Sequence, residues 1–180
     1  MMQGLIIYQG KYGATRQYAD WLKEMLKIPV STPKEIKAIE IKNADYLVIG
    51  SSVYVGKLLI RHWLKENITE LVNKKIFMFV VSATPANEKV KLESFLMSVP
   101  AEIRYLIEIY YLPGKVIKKN LSFLDNFILH MGAWLTKDPV EKKKMLTDFD
   151  LIEVSNLNDL VNSIKSFEKS QEMDVSPVGY

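Results

Sequence analysis

The sequence predicts a doubly wound α/β fold, a parallel sheet with helices packed on both faces. Three observations point there. Short unbroken apolar runs bounded by turn residues recur along the chain, as expected of strands covered on both sides. Stretches whose apolar residues repeat at helical spacing alternate with those runs. The first run also empties into a glycine-bearing loop, "QGKYGAT", that opens directly into a helical pattern.

Leu5 to Tyr8 reads as the first strand and Thr15 to Leu26 as a helix, with Tyr18, Ala19, Leu22, Met25 and Leu26 on one side and Pro29 and Pro33 beyond its end. Ile28 to Val30 has room only for a very short strand, which suits a sheet edge, and the region of Ile36, Ile39 and Ile41 fits either period. Tyr46 to Gly50 and Ile76 to Ser82 are dense in β-branched or aromatic residues and uncharged inside, so they belong at the sheet centre. Between them Leu58 to Val72 reads as one amphipathic helix crossing back over the sheet. Asn87 to Met97 reads as a further helix, and Ile107 to Leu112 as a fifth strand stopped by Pro113 and Gly114. Leu157, Leu160, Val161, Ile164 and Phe167 mark a closing helix. The expectation is a single domain over residues 1–169 with a loose tail over 170–180.

Composition removes several kinds of chemistry. The chain of 180 residues has no cysteine, which excludes disulfides, thiolate nucleophiles, iron–sulfur clusters and cysteine zinc sites. His62 and His130 stand in no metal-binding spacing, so no metal site is expected. A net charge of +3 with Lys and Arg scattered among acids argues against nucleic acid as a partner. No apolar stretch reaches membrane-spanning length and the start lacks the pattern of a signal peptide, so the expected location is the cytoplasm.

In a doubly wound sheet, ligands gather at the carboxyl ends of the strands. Gln9, Gly10, Lys11, Tyr12, Gly13, Ala14 and Thr15 occupy such an end and run into a helix N-terminus. Glycines there let the backbone curl so that several N–H groups point inward, the helix start adds about half a positive charge, and Thr15 offers a hydroxyl: a cradle for a phosphate. The same two glycines also suit a plain strand-to-helix turn. The loop lacks both a Gly-Lys-Ser/Thr ending and the full dinucleotide fingerprint, which speaks against a nucleotide triphosphatase. Gln9 and Ser51 stand where a phospho-acceptor receiver domain requires acids. Two further loops reach the same edge. Ser52, Val53, Tyr54, Val55 and Gly56 follow the strongest strand and offer an aromatic plane, while Ser82, Ala83, Thr84, Pro85 and Asn87 follow the fourth. Together they suit an anionic group, a flat ring and the ring's polar edge.

On these segments the sequence resembles the flavodoxin-like family. "LIIYQGKYGATRQYA" stands in the place of that family's phosphate loop. "ADYLVIGSSVYVGK", "FLMSVPAEIRYLIEIYYLPGKV" and "KKKMLTDFD" are similar to the subgroup of menaquinone-dependent protoporphyrinogen oxidases, over about residues 3 to 168. The resemblance implies a three-layer sheet of five parallel strands in the order 2-1-3-4-5 with FMN across the three loops. Gly10 to Thr15 would wrap the phosphate, Ser52 to Gly56 would line the ring, and Ser82 to Asn87 would face its other side. It also implies electrons passing from a reduced porphyrinogen through FMN to a quinone, a step in heme biosynthesis. Gly10, Lys11 and Tyr12 replace the family's hydroxyls. Each lost hydrogen bond to a charged phosphate costs about 1.5–3 kcal/mol unless main-chain amides or Lys11 compensate.

Two rivals stay open: a flavodoxin-type electron-transfer protein, and a cofactor-free domain that binds a protein partner. The segment Leu121 to Leu135 bears on the choice. Leu121, Leu124, Phe127, Ile128, Met131, Trp134 and Leu135 form a broad apolar face over about 22 Å, too short to cross a bilayer but suited to peripheral membrane contact or to packing in the core.

Overall fold

The computed structural model describes residues 2–84, 88–136, 138–139, 142–143 and 146–174. Its centre is a parallel sheet built from β1 (Gly4–Gln9), β2 (Val30–Ser31), β3 (Tyr46–Tyr54), β5 (Lys75–Ser82) and β6 (Ile107–Pro113). The strand order is β2-β1-β3-β5-β6, with the short β4 (Lys57–Leu58) hairpinned antiparallel onto β3. Counting the parallel strands alone, this is the expected 2-1-3-4-5. The two strands richest in β-branched and aromatic residues, β3 and β5, pair along Tyr46↔Lys75 to Ser52↔Val81 at the middle of the sheet.

Side chains on a strand alternate between faces, and the alternation sorts the apolar residues into two cores. On one face Leu5, Ile7, Leu47, Ile49, Ile76, Met78 and Val80 meet α2 (Ala38–Asn43), α3 (Arg61–Glu66), α4 (Ile68–Leu71), α5 (Lys89–Phe95) and α6 (Ala101–Arg104) through Ile41, Trp63, Leu64, Leu71, Leu92, Phe95 and Ile103. On the other, Ile6, Val48, Phe77, Phe79 and Val81 meet α1 (Ala14–Leu26) through Tyr18, Ala19 and Leu22, and a closing helix through Leu160, Val161 and Ile164. Both layers are thus held by apolar burial, worth about 1.5–3 kcal/mol per fully buried large side chain.

Three predicted elements differ. The single helix expected over Leu58 to Val72 is β4 followed by α3 and α4. A tight turn at Val55 and Gly56, both at positive φ, throws the chain back on β3. The Leu59 amide then donates to the Ser52 carbonyl at 3.0 Å and the Ile60 amide to Ser51 Oγ at 3.3 Å. Asn67, at φ −113° and ψ 18°, leaves helical backbone and separates α3 from α4, while its backbone and side-chain amides both donate to the Trp63 carbonyl. The helix expected over Asn87 to Met97 is α5 and a 3₁₀ turn at Leu96–Ser98; Asn87 lies outside the described residues. The closing helix α8 (Asn158–Asp174) continues past Ser170, whose hydroxyl donates to the Phe167 carbonyl, so the expected tail is helical as far as Asp174 and its remainder lies outside the described residues.

After β6 the chain leaves the sheet on an excursion. It runs through β7 (Lys115–Val116), a 3₁₀ turn at Lys118–Asn120 and α7 (Phe123–Leu135), then returns to β8 (Phe149–Asp150). β7 and β8 pair antiparallel through Lys115↔Asp150 and Val116↔Phe149, closing its root. The Lys118 amide donates to Asp148 Oδ1 at 3.0 Å and its ammonium to the Leu146 carbonyl at 2.6 Å. No described α7 side chain belongs to either core.

Candidate cofactor site

The loops after β1, β3 and β5 converge at the carboxyl edge of the sheet, where they meet the excursion and enclose a cavity of about 280 Å³. That is close to the lower end of small-molecule sites, roughly 300–1,000 Å³. Of the residues expected at a site, Lys11, Tyr12, Ala14, Thr15, Ser52, Val53, Tyr54, Val55, Ser82 and Ala83 line it. Gln9, Gly10, Gly13, Gly56 and Thr84 do not, although they shape the same loops, and Pro85 and Asn87 lie outside the described residues.

The first loop is an open anion cradle. Gly13 caps α1 at φ 84°, a left-handed conformation natural to glycine, and no side chain caps the helix. Among the described residues, the amides of Lys11 through Arg16 donate to no protein acceptor. Thr15 is buried, and its Oγ1 has no hydrogen-bond partner. It abuts Gly10, where an added Cβ would stand 2.8 Å from that oxygen, so the loop closes on Thr15 only with glycine at position 10. Orphaned N–H groups, a helix dipole and an unsatisfied hydroxyl suit a phosphate.

Lys11, expected to compensate for the missing hydroxyls, is committed elsewhere. Its Nζ lies 2.6 Å from Asp125 Oδ2 of α7 and 4.1 Å from the centroid of the Tyr54 ring. The Tyr54 hydroxyl donates to Asp125 Oδ1 at 2.6 Å, so one buried carboxylate ties the first loop, the second loop and α7 together. Asp125 beside it, then Tyr54, holds the Lys11 ammonium above the ordinary lysine pKa, against the opposing pull of desolvation. A second tether joins the Ser122 amide to the Tyr12 hydroxyl at 3.3 Å. Ser122 also caps α7, its Oγ accepting from the Asp125 amide at 3.2 Å, which fixes where Asp125 points.

Ser52, Val53 and Tyr54, expected in a loop, are the last residues of β3, extended by pairing with β4, so only Val55 and Gly56 form the turn there, and the third loop is set by the sheet. Val55 at φ 48° is a β-branched residue in left-handed backbone, a strained conformation at the cavity rim. Ser82 Oγ accepts from the Thr84 amide at 3.2 Å, and the Ser82 carbonyl accepts from the Gly114 amide at 2.9 Å, binding the third loop to the root of the excursion. Sequence reasoning missed that whole wall. Val81, Gly114, Lys115, Val116, Ile117, Asn120, Leu121, Asp125 and Leu129 also line the cavity. One signal was available for Asp125: it is the one acid in a largely apolar helix, "FLDNFILHMGAWL".

A flavodoxin-domain family model matches residues 5–143, across the sheet, the three loops and α7. The chain belongs to the flavodoxin-domain family. Membership places it among flavodoxin-type electron-transfer domains, which typically carry FMN. No curated protein matches it. Among solved structures, it is similar to a flavoprotein from Lactobacillus acidophilus in complex with FMN, at 16% identity and a TM-score of 0.47, covering 63% of this chain and 93% of that one. Oxidised flavodoxin 1 from Bacillus cereus is similar at 17% identity and a TM-score of 0.44, covering 71% and 98%. Two-electron reduced Megasphaera elsdenii flavodoxin stands at 11% and 0.46, covering 62% and 85%.

Proposed function

We propose that this chain binds FMN at the carboxyl edge of its sheet and acts as a flavodoxin-type electron-transfer protein. The observation that carries the reading is the set of unengaged amides from Lys11 to Arg16 around the buried, partnerless Thr15 hydroxyl. In this reading Gly10 to Thr15 hold the phosphate, Ser52 to Gly56 flank the ring, and Ser82 to Asn87 meet its polar edge. When bound, FMN supplies the redox chemistry through its ring. The chain's part is to hold the phosphate on main-chain donors, orient the ring against Tyr54, and keep water from it with the wall formed by Leu121 and Leu129.

Titrating the purified protein with FMN and following the quenching of flavin fluorescence tests this directly. Saturable uptake at one FMN per chain is the expected result. A protein indifferent to excess FMN overturns it and leaves the cofactor-free, partner-binding reading.

A second reading, FMN-dependent oxidation of a porphyrinogen with a quinone as electron acceptor, is favoured by α7. Electron carriers of this family are steered to basic partners by strong negative charge, whereas this chain carries +3. A quinone is lipid-soluble, and peripheral membrane contact through residues 121–135 would bring the cavity within its reach. Turnover of a porphyrinogen with a quinone acceptor supports this reading; its absence in an FMN-loaded preparation leaves the carrier.

A further inference from the structure

The outward face of α7 is the largest feature of the molecule that the cofactor site leaves unexplained. Phe123, Leu124, Phe127, Met131, Trp134 and Leu135 are between 43% and 91% exposed. Ile128, grouped with them in the sequence, has its side chain outside the described residues. With three aromatic rings, the patch measures on the order of several hundred Å², at or above the largest apolar patch usual on a monomer. It is not a core face turned out by chance. Asp125 and Leu129, one turn apart, line the cavity together with Leu121 just before the helix, so at 100° per residue Phe123, Phe127, Met131 and Trp134 fall on the opposite side and Leu124 and Leu135 on its flank.

Charge indicates what covers it. The one acid of α7, Asp125, points inward to Lys11 and Tyr54, so the outward face carries no carboxylate; the exposed His130 beside it has its Nδ1 2.7 Å from the Asn126 carbonyl oxygen. At the root, the bond from Lys118 Nζ to the Leu146 carbonyl brings Lys142 and Lys143, within a turn of Leu146, to the end where Lys118 and Lys119 stand. Lys119, Lys142 and Lys143 are exposed and form no ion pair among the described residues; the exposed acids of the same segment are Asp138 and Asp148, the latter accepting from the Lys118 amide. A largely apolar helix face without acids and with lysines at one end matches a surface that is apolar within and negative at its boundary.

We infer that α7 is an interfacial anchor that lays Phe123, Phe127 and Trp134 into a bilayer while Lys119, Lys142 and Lys143 engage anionic lipid headgroups. The inference deepens the membrane contact proposed above, naming the face and the lipid class. The opposite side of the same helix walls the cavity, so docking would set the site beside the lipid. No helix among the described residues is long and apolar enough to cross a membrane, which is consistent with contact from one side.

The test needs no flavin, so its failure is separate from a failure of FMN binding. The full chain is sedimented with phosphatidylcholine vesicles, with and without phosphatidylglycerol, at low and high salt. Binding to the anionic vesicles is expected, weakened by salt, with Trp134 fluorescence quenched by brominated acyl chains and the quenching lost in Trp134→Phe. Phe123→Ser combined with Phe127→Ser should abolish sedimentation at an unchanged melting temperature. Lys119→Glu with Lys142→Glu and Lys143→Glu should weaken it by on the order of tenfold or more. Absence of wild-type binding to anionic vesicles overturns the proposal, as does equal binding by the face variant. A wild-type dimer that the face variant dissolves would overturn it too, assigning the face to a second copy of the chain. The brominated-lipid readout on the unaltered chain keeps the test decisive if a variant fails to fold.

Discussion

The three sheet-end loops and the excursion of residues 117–148 form opposite walls of one cavity, yet they are held in different ways. Each loop grows from a strand whose side chains are buried on both faces, as with Ile6 and Ile7, Val48 and Ile49, and Phe79 and Val80. Among the described residues the excursion contributes nothing to either core; polar pins from Asp125 to Lys11 and Tyr54 and from Ser122 to Tyr12 hold it to the loops, and Lys118 closes it on itself through Leu146 and Asp148. Apolar burial is non-directional and hard to undo locally, whereas a few hydrogen bonds and one ion pair with a part-exposed lysine open at lower cost. The contrast teaches that one wall of the site is a rigid template and the other is a clipped cover.

The largest effect should come from breaking the rigid wall. Phe79→Ala removes a fully buried ring at the sheet centre and should cost about 3–5 kcal/mol in urea unfolding. A cost below about 1 kcal/mol would mean that the sheet is not the template supposed here.

Thr15→Val sharpens the comparison by separating binding from stability. The buried hydroxyl has no partner within the protein, so its removal should leave stability unchanged or slightly raised. FMN affinity should fall by about 1.5–3 kcal/mol, on the order of tenfold to a hundredfold, in a fluorescence titration. Equal affinity would remove Thr15 from the phosphate cradle.

Val55→Asn relieves a β-branched residue held at φ 48°, and Asn tolerates that backbone well. A gain of about 1 kcal/mol in thermal or urea unfolding is expected. No gain would show that the rim is not strained.

The smallest global effect, and the most local one, belongs to the clip. Asp125→Asn keeps an acceptor for Tyr54 but abolishes the ion pair. Because the Lys11 side chain is 37% exposed and can turn to water, global stability should change by less than about 1 kcal/mol. Amide exchange across residues 123–135 should nevertheless accelerate while that of β3 and β5 holds. The same pair sets a pH window. Asp125 raises the pKa of Lys11, so the clip's contribution is complete below the ordinary lysine value of 10.5 and is lost as pH rises through the higher value of the folded state. Exchange in α7 should therefore quicken in alkali before the sheet responds, and simultaneous loss in both regions would erase the distinction.

Where the sequence was legible, a local rule carried the reading. Unbroken runs such as Tyr46 to Gly50 and Ile76 to Ser82 admit few structures other than buried strands, and "QGKYGAT" between a strand and a helix admits few uses other than a turn or an anion cradle. Where it misled, a contact from outside the segment intervened. The apolar period of Leu58 to Val72 is real, but Ser51 and Ser52 draw Leu59 and Ile60 into a hairpin instead of a first helical turn. For Leu121 to Leu135, periodicity predicts a helix and an apolar face and leaves open whether that face meets the sheet or something else. Lys11, readable as a phosphate ligand, has its charge taken by a residue more than a hundred positions away.

The sequence by itself determined the layered fold, the strand order that its resemblance implied, and the three loops that meet at one edge, because hydrophobic periodicity and glycine placement act within a few residues of themselves. Only the tertiary structure decided that Asp125 binds Lys11 and Tyr54, that α7 walls the cavity with one side and turns a largely apolar side to the exterior, and that Thr15 is left buried without a partner. Those outcomes depend on which distant groups arrive at the same place, and pairing across such separations leaves no periodic mark in the chain.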